Sequence, residues 1–354
     1  MYDNYTEARV YPGDRRRQKE LSALLEKEGI RQDGNLEYTL GLYDQEDRLV
    51  GTGSYYGNTL RCLAVDSGHQ GEGLLNRIVS RLVDLRAQEG VFHLFLYTKC
   101  DKSPFFQDLG FAEICRVEGM VAFLENRRDG FTRYLAQLKK ESAAFSLPEG
   151  GKQAAIVMNA NPFTLGHRYL VEQAAAQCDL LHLFVVTEDA SLVPFSARYQ
   201  LVKEGTADLP NVVLHQTGSY MISSSTFPSY FIKDAGDVIR AQARLDILVF
   251  KRIAAALGVS ARFVGEEPFS QVTSIYNGIM EEELEKDGLC CNIIPRKEED
   301  GRAISASAVR QLIHDGKLEE VRPLVPESTY RFFLTPQGEK VAAAIRAAGE
   351  VIHY

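Results

Sequence analysis

Six cysteines are spread through the 354-residue chain, with no C-x-x-C pair and no histidine cluster beside them. Cys290 and Cys291 are adjacent, which is poor geometry for a disulfide and no metal signature. The expectation is therefore reduced thiols and a reducing cytoplasm. A basic surplus is also missing: 40 Lys and Arg against 48 Asp and Glu leave a net charge of −8. That balance argues against a nucleic-acid partner. The local cluster Arg15, Arg16 and Arg17 reads as a solvated helix face. No apolar run approaches the roughly 20 residues a membrane helix needs, so no membrane association is expected. The opening residues MYDNYTEARVYPGDRRRQ lack the apolar centre of a signal peptide. Internal repeats and low-complexity tracts are absent as well. What remains is a globular chain, 45% hydrophobic and 25% charged, too long for one ordinary core and expected to form at least two domains.

Alternating strand and helix patterns fill residues 1–126. LEYTLGLYD and LVGTGSYYG read as neighbouring strands, and Thr59–Val65 as a third. The loop DSGHQGEG then opens a segment with apolar residues at Leu74, Leu75, Ile78, Val79, Leu82 and Leu85. That spacing is helical, and Gly90 is a suitable stop. VFHLFLYT reads as a buried strand, SPFFQDLG as a short helix and FAEICRV as another strand. Residues 127–151 are polar, with one amphipathic helix, and read as a connector. From 152 to 335 the pattern restarts as AAIVM, HRYLVEQAAAQ and LLHLFVVT, with NVVLHQ, ARFVG and CNIIPR as later strands. Strands alternating with helices predict a parallel sheet. Residues 336–354 read as a terminal helix.

In a parallel sheet, ligands bind at the carboxyl ends of the strands. The stretch NANPFTLGHRYL, Asn159 to Leu170, lies at such an end, between the first strand and first helix of the second domain. A helix N-terminus presents unpaired N–H groups and a positive dipole end to a phosphate. Thr164 and His167 would face one anion there, and a histidine can donate to an oxygen on which charge builds in the transition state. Far downstream, ISASAVRQLI places Ser305 as an N-cap and Arg310 one turn into a helix.

The first stretch resembles the T/H-x-G-H signature of the nucleotidyltransferase superfamily, with Thr164, Leu165, Gly166 and His167 in its four places and Pro162 on the usual approach. The resemblance departs at Met158, Ala160 and Asn161. The second resembles the I-S-x-[ST]-x-[IV]-R motif of that superfamily, with Ser307 at the [ST] position. It implies that His167, Thr164 and Arg310 are catalytic. Asn159, Asn161, Pro162, Phe163, Gly166, Ser305 and Ser307 would hold the nucleotide, with Arg198 as a mobile basic residue unless it is an ordinary exposed helix arginine. Glu266, Thr273 and Tyr276 in VGEEPFSQVTSIYN are softer candidates, as is Lys203, while MEEELEK reads as a solvated helix face. In the first domain, the strand, glycine turn and helix around Gly71 and Gly73 resemble the acyl-CoA loop of the GNAT acetyltransferases, though Gly68 stands where a basic or amide residue is usual. The fold class expected is α/β: a GNAT-like α+β domain followed by a Rossmann-like nucleotidyltransferase domain.

This domain pair resembles the citrate lyase ligases along nearly the whole chain. The resemblance implies that ATP, with Mg²⁺, activates acetate as acetyl-AMP. The acetyl group would then pass to the thiol of the dephospho-CoA-derived prosthetic group on the acyl carrier subunit of citrate lyase, and AMP and diphosphate would leave. Three rivals stay open on the residues: a plain adenylyltransferase acting on a phosphorylated acceptor, an N-acetyltransferase with a regulatory nucleotide domain, and a nucleotide-sensing partner of an acyl carrier.

Overall fold

A computed structural model describes residues 4–187, 191–221, 227–232, 234–266, 271–299, 302–349 and 351. It divides into two units, one formed by residues 1–131 with 226–245 and the other by 132–225 with 246–354.

The first unit is built on a seven-stranded sheet in the order β1-β2-β3-β4-β5-β7-β6. Its strands are β1 (Thr6–Arg9), β2 (Tyr38–Tyr43), β3 (Leu49–Tyr56), β4 (Thr59–Val65), β5 (Phe95–Thr98), β6 (Ala112–Val117) and β7 (Val121–Glu125). Helices α1 (Arg15–Lys27), α2 (Leu74–Gln88) and α3 (Ser103–Asp108) complete it. Helix α2 buries Leu74, Ile78, Val79 and Leu82 along one face, the 3.6-residue repeat visible in the sequence. Two glycines in β3 let that helix approach: a Cβ on Gly53 would lie 2.5 Å from Ile78, and one on Gly51 3.0 Å from the same side chain. The predicted strand VFHLFLYT contracts to four residues, and β1 and β7 had no sequence forecast. All pairings are antiparallel except β4 with β5, which pair only at Thr59↔Phe95 and Leu60↔Leu96. Beyond Leu60 the two strands part, and a cavity of about 640 Å³ opens, lined by Ala64, Gly71, Gly73, Tyr97, Lys99 and Phe231.

The second unit holds a five-stranded sheet in the order β10-β9-β8-β11-β12, every pair parallel. Its strands are β8 (Gln153–Met158), β9 (Leu180–Val185), β10 (Val212–Gln216), β11 (Val259–Gly265) and β12 (Cys290–Ile294). Between and after them come α4 (Gly130–Ser142), α5 (Leu165–Ala175), α6 (Phe195–Gly205), α7 (Ala235–Leu257, of which the residues up to 245 count with the first unit), α8 (Gln271–Glu285), α9 (Ala306–His314), α10 (Glu327–Phe333) and α11 (Pro336–Ala347). A two-stranded ribbon pairs β13 (Glu298–Glu299) with β14 (Arg302–Ala303). Strands β8 and β9 are covered by Val171, Ala174, Leu201 and Val202 from α5 and α6. The chain runs β8-β9-β10 to one side and β11-β12 to the other. The strand order therefore reverses between β8 and β11, the place where open α/β sheets bind ligands. This is the Rossmann-like parallel domain. Among the described residues no helix is long and apolar enough to cross a membrane.

Candidate active site

The loop leaving β8 is shaped by two buried arginines. Arg198, on α6, donates from Nε to the Val193 carbonyl at 3.0 Å, and from Nη1 to the carbonyls of Asn159 at 2.7 Å and Val186 at 2.8 Å. Arg310, on α9, donates from Nη1 to the Asn161 carbonyl at 2.6 Å and from Nε to the Val351 carbonyl at 2.7 Å. Between the two held carbonyls, Ala160 takes a left-handed φ of 52°, and the Asn161–Pro162 peptide is cis. The Asn161 side chain accepts from the Val193 N–H at 3.0 Å, and the Asn159 amide donates to Ser191 Oγ at 3.0 Å. Arg198 is therefore neither an exposed helix arginine nor a cation at the surface: its exposure is 0% and its guanidinium braces the loop.

Thr164 caps α5, accepting from the His167 N–H at 3.3 Å. The ring answers: His167 Nδ1 accepts from the Thr164 N–H at 3.1 Å and lies 3.0 Å from Thr164 Oγ1. An Nδ1 that accepts a backbone N–H carries no proton, so the neutral ring bears its proton on Nε2. Burial and the charges of Arg296 and Arg310 push His167 down to about 4, which keeps that tautomer neutral at physiological pH. The ring also stacks on buried Phe163, with centroids 5.9 Å apart. Phe163 in turn packs against Gly205, where a Cβ would lie 2.4 Å from it. The result is an oriented Nε2–H donor at a helix N-terminus.

The two motifs meet at Gly166. A Cβ there would lie 2.7 Å from the carbonyl oxygen of Ile304, so only glycine lets α5 and the start of α9 come this close. Ser305 caps α9 by accepting from the Ala308 N–H at 3.1 Å. Ser307 Oγ accepts from Arg310 Nη2 at 3.2 Å. Of Arg310's five N–H groups, three go to neutral oxygens. Burial pushes its pKa down to about 10, so the buried cation stays charged, and among the described residues its hydrogen-bond partners include no carboxylate. An arriving anion would supply a counter-charge.

The other forecasts land differently. Glu266 follows β11 with its side chain exposed, and it contributes through its backbone, whose carbonyl accepts from Arg296 Nε at 2.7 Å. Tyr276 is turned away to a buried cluster, donating to Asp246, which also faces Arg262. The side chain of Thr273 and residues 267–270 lie outside the described residues. Lys203 is exposed on α6. Gly71 and Gly73 belong to the first unit, with left-handed φ values of 87° and 73°, and Gly73 starts α2 without a side-chain cap. Arg296 was not forecast as a site residue; the only signal in the sequence was its place as the last residue of the predicted strand CNIIPR.

The family model described as the citrate lyase ligase C-terminal domain matches residues 153–333. A [citrate [pro-3S]-lyase] ligase of Escherichia coli (strain K12) is 38% identical over 338 residues, covering 94% of each chain. One of Klebsiella pneumoniae is 40% identical over 326 residues, covering 91% of this chain and 94% of its own. Among solved structures, a putative acyl-CoA N-acyltransferase from Klebsiella pneumoniae overlaps 34% of this chain and 95% of its own, at 17% identity and a TM-score of 0.29. With the family model matching residues 153–333 and relatives matching along nearly its full length, this chain belongs to the citrate lyase ligase family, the acid–thiol ligases that act on citrate lyase.

Proposed function

We propose that the second unit forms acetyl-AMP from ATP and acetate, and that the thiol on the acyl carrier subunit of citrate lyase then takes the acetyl group. The observation that carries this reading is the convergence of the neutral His167 donor and the charge of Arg310 at the edge where the strand order reverses between β8 and β11. Acetate is a poor acyl donor until its oxygen becomes a better leaving group. An acetate oxygen attacks the α-phosphorus, the α–β bridging P–O bond breaks, and pyrophosphate leaves with that electron pair. His167 donates from Nε2 to the oxygens on which charge accumulates, as a preorganised donor that needs no reorientation. Thr164 acts through the ring, fixing its tautomer and direction. Arg310, with Ser307 and the free N–H groups of α9, holds the departing pyrophosphate. Asn159, Asn161, Pro162 and Phe163 shape the nucleotide side of the turn.

Among the described residues, no cluster of three His, Cys, Asp or Glu side chains is arranged for a metal. Mg²⁺ entering with the nucleotide would offset charge on the phosphate oxygens. In the second half-reaction the carrier thiolate attacks the acetyl carbonyl and AMP leaves. The cavity of the first unit suits the long pantetheine arm of the prosthetic group: the parted β4 and β5 leave a slot, and the left-handed glycine turn at α2 offers backbone N–H groups to its phosphate end.

ATP–pyrophosphate exchange with and without acetate, in the absence of carrier, tests the first step. Exchange that depends on acetate is the expected result. Exchange that ignores acetate but responds to a phosphopantetheine-type acceptor would replace the ligase step with plain adenylyl transfer.

A further inference from the structure

We propose that Arg296 is a further phosphate-binding residue of this site, engaging the pyrophosphate half of the nucleotide beside Arg310. The assignment rests on the adenylate-forming reading above for its place in the reaction, but its binding role stands on geometry. Parallel pairing aligns Gly265 of β11 with Ile294 of β12, and the Glu266 N–H extends the ladder to the Ile294 carbonyl at 2.9 Å. Arg296 is therefore two residues past the carboxyl end of β12, beside the end of β11. Its Nε donates to the Glu266 carbonyl at 2.7 Å, which anchors the guanidinium at that edge. The next residue, Lys297, accepts the Ile304 N–H at 3.0 Å, and the Ile304 carbonyl is the group pressed against Gly166. A short chain of contacts thus runs from Arg296 to the residue preceding His167.

Electrostatics agrees with that placement. The His167 ring is held low first by burial, then by Arg296 and then by Arg310, so both cations act on the same imidazole. Two positive charges beside one neutral donor make a potential that favours a polyanion there. A polyphosphate fits, since it presents several oxygens to separate cations. A monoanion such as acetate would satisfy one of them.

The competing role for Arg296 is a staple joining the ends of β11 and β12. Calorimetric titration of the intact protein with magnesium pyrophosphate separates the two roles, using wild type, Arg296→Gln and Arg296→Lys. Phosphate binding predicts an affinity about tenfold weaker for the glutamine variant and less than about threefold weaker for lysine, since lysine keeps the charge. Raising the salt should narrow the gap between the two variants, and all three proteins should melt alike. Equal affinities for wild type and Arg296→Gln would overturn the assignment, as would lysine and glutamine variants that weaken binding equally. Loss of affinity together with loss of cooperative melting in both variants would make Arg296 the staple. If wild type binds pyrophosphate and the glutamine variant does not, yet acetate-dependent exchange is absent, Arg296 keeps its role and the acetyl-adenylate step falls.

Discussion

Replacing Gly166 with alanine tests the join between the two motifs. The new Cβ would sit 2.7 Å from the Ile304 carbonyl oxygen, against 3.4–4 Å for ordinary contact. The segment leading into α9 must then retreat from α5 by about 0.7 Å, the difference between those separations. His167 follows Gly166 directly, and Ser305, Ser307 and Arg310 follow Ile304 on α9. The retreat therefore widens the gap between the His167 donor and these α9 residues. Misplacement of about 1 Å can cost on the order of a hundredfold in rate, so a fall of roughly 10- to 50-fold in kcat/KM for acetate-dependent exchange is expected. The fold should survive, because overpacking costs about 1–3 kcal/mol and alanine recovers up to about 1 kcal/mol of helix propensity. Gly278→Ala is the control: it lies on α8 with no atom within 4 Å of an added Cβ, and it should leave exchange unchanged. Exchange within twofold of wild type for Gly166→Ala would refute the claim that this contact sets the site's geometry.

His167→Ala should lower the exchange rate by roughly a hundredfold or more with the fold intact; near-wild-type turnover with unchanged melting would remove His167 from the mechanism. The pH dependence follows from burial. His167 is pushed down to about 4 and His182, which faces His215 at 3.0 Å, to about 3. Both remain neutral in the folded protein where the unfolded chain begins to protonate near pH 6.5. Their contribution is thus complete above that pH and is lost as pH falls towards the folded values. At pH 5 each should have cost about 2 kcal/mol, read as a melting temperature that drops between pH 7 and pH 5. A flat melting profile over that range would contradict the buried neutral state. The exchange rate of folded protein should show no acid limb near pH 6.5 from His167.

The local elements were legible because their causes are local. β4 was read from its sequence as Thr59–Val65 and is that strand, and α2 begins at Leu74, where the apolar repeat begins. Ser305 was readable as a cap because a cap is an oxygen placed three residues before the N–H it accepts, whereas the capping role of Thr164 had no sequence forecast. Arg198 was misread as exposed or mobile, since nothing in FSARYQLV shows that three carbonyls from other segments converge on it. Residues 226–245 interrupt the second unit's sequence yet belong to the first unit, where Arg31 bonds the carbonyls of Ser229, Tyr230 and Ile232. Helix α7 had no sequence forecast either, although it runs for 23 residues.

By itself the sequence determined the alternating strands and helices, the glycine turns, the capped start at Ser305 and the family to which they point. These follow from backbone sterics and from hydrogen bonds closed within a few residues. Only the tertiary structure decided how the arginines are used. The bond from Arg310 to the Asn161 carbonyl spans 149 positions, and the Gly166–Ile304 approach spans a similar distance along the chain. Such contacts form when the parallel sheet brings the ends of distant strands to one edge, and no local pattern encodes which carbonyls a given cation will find there.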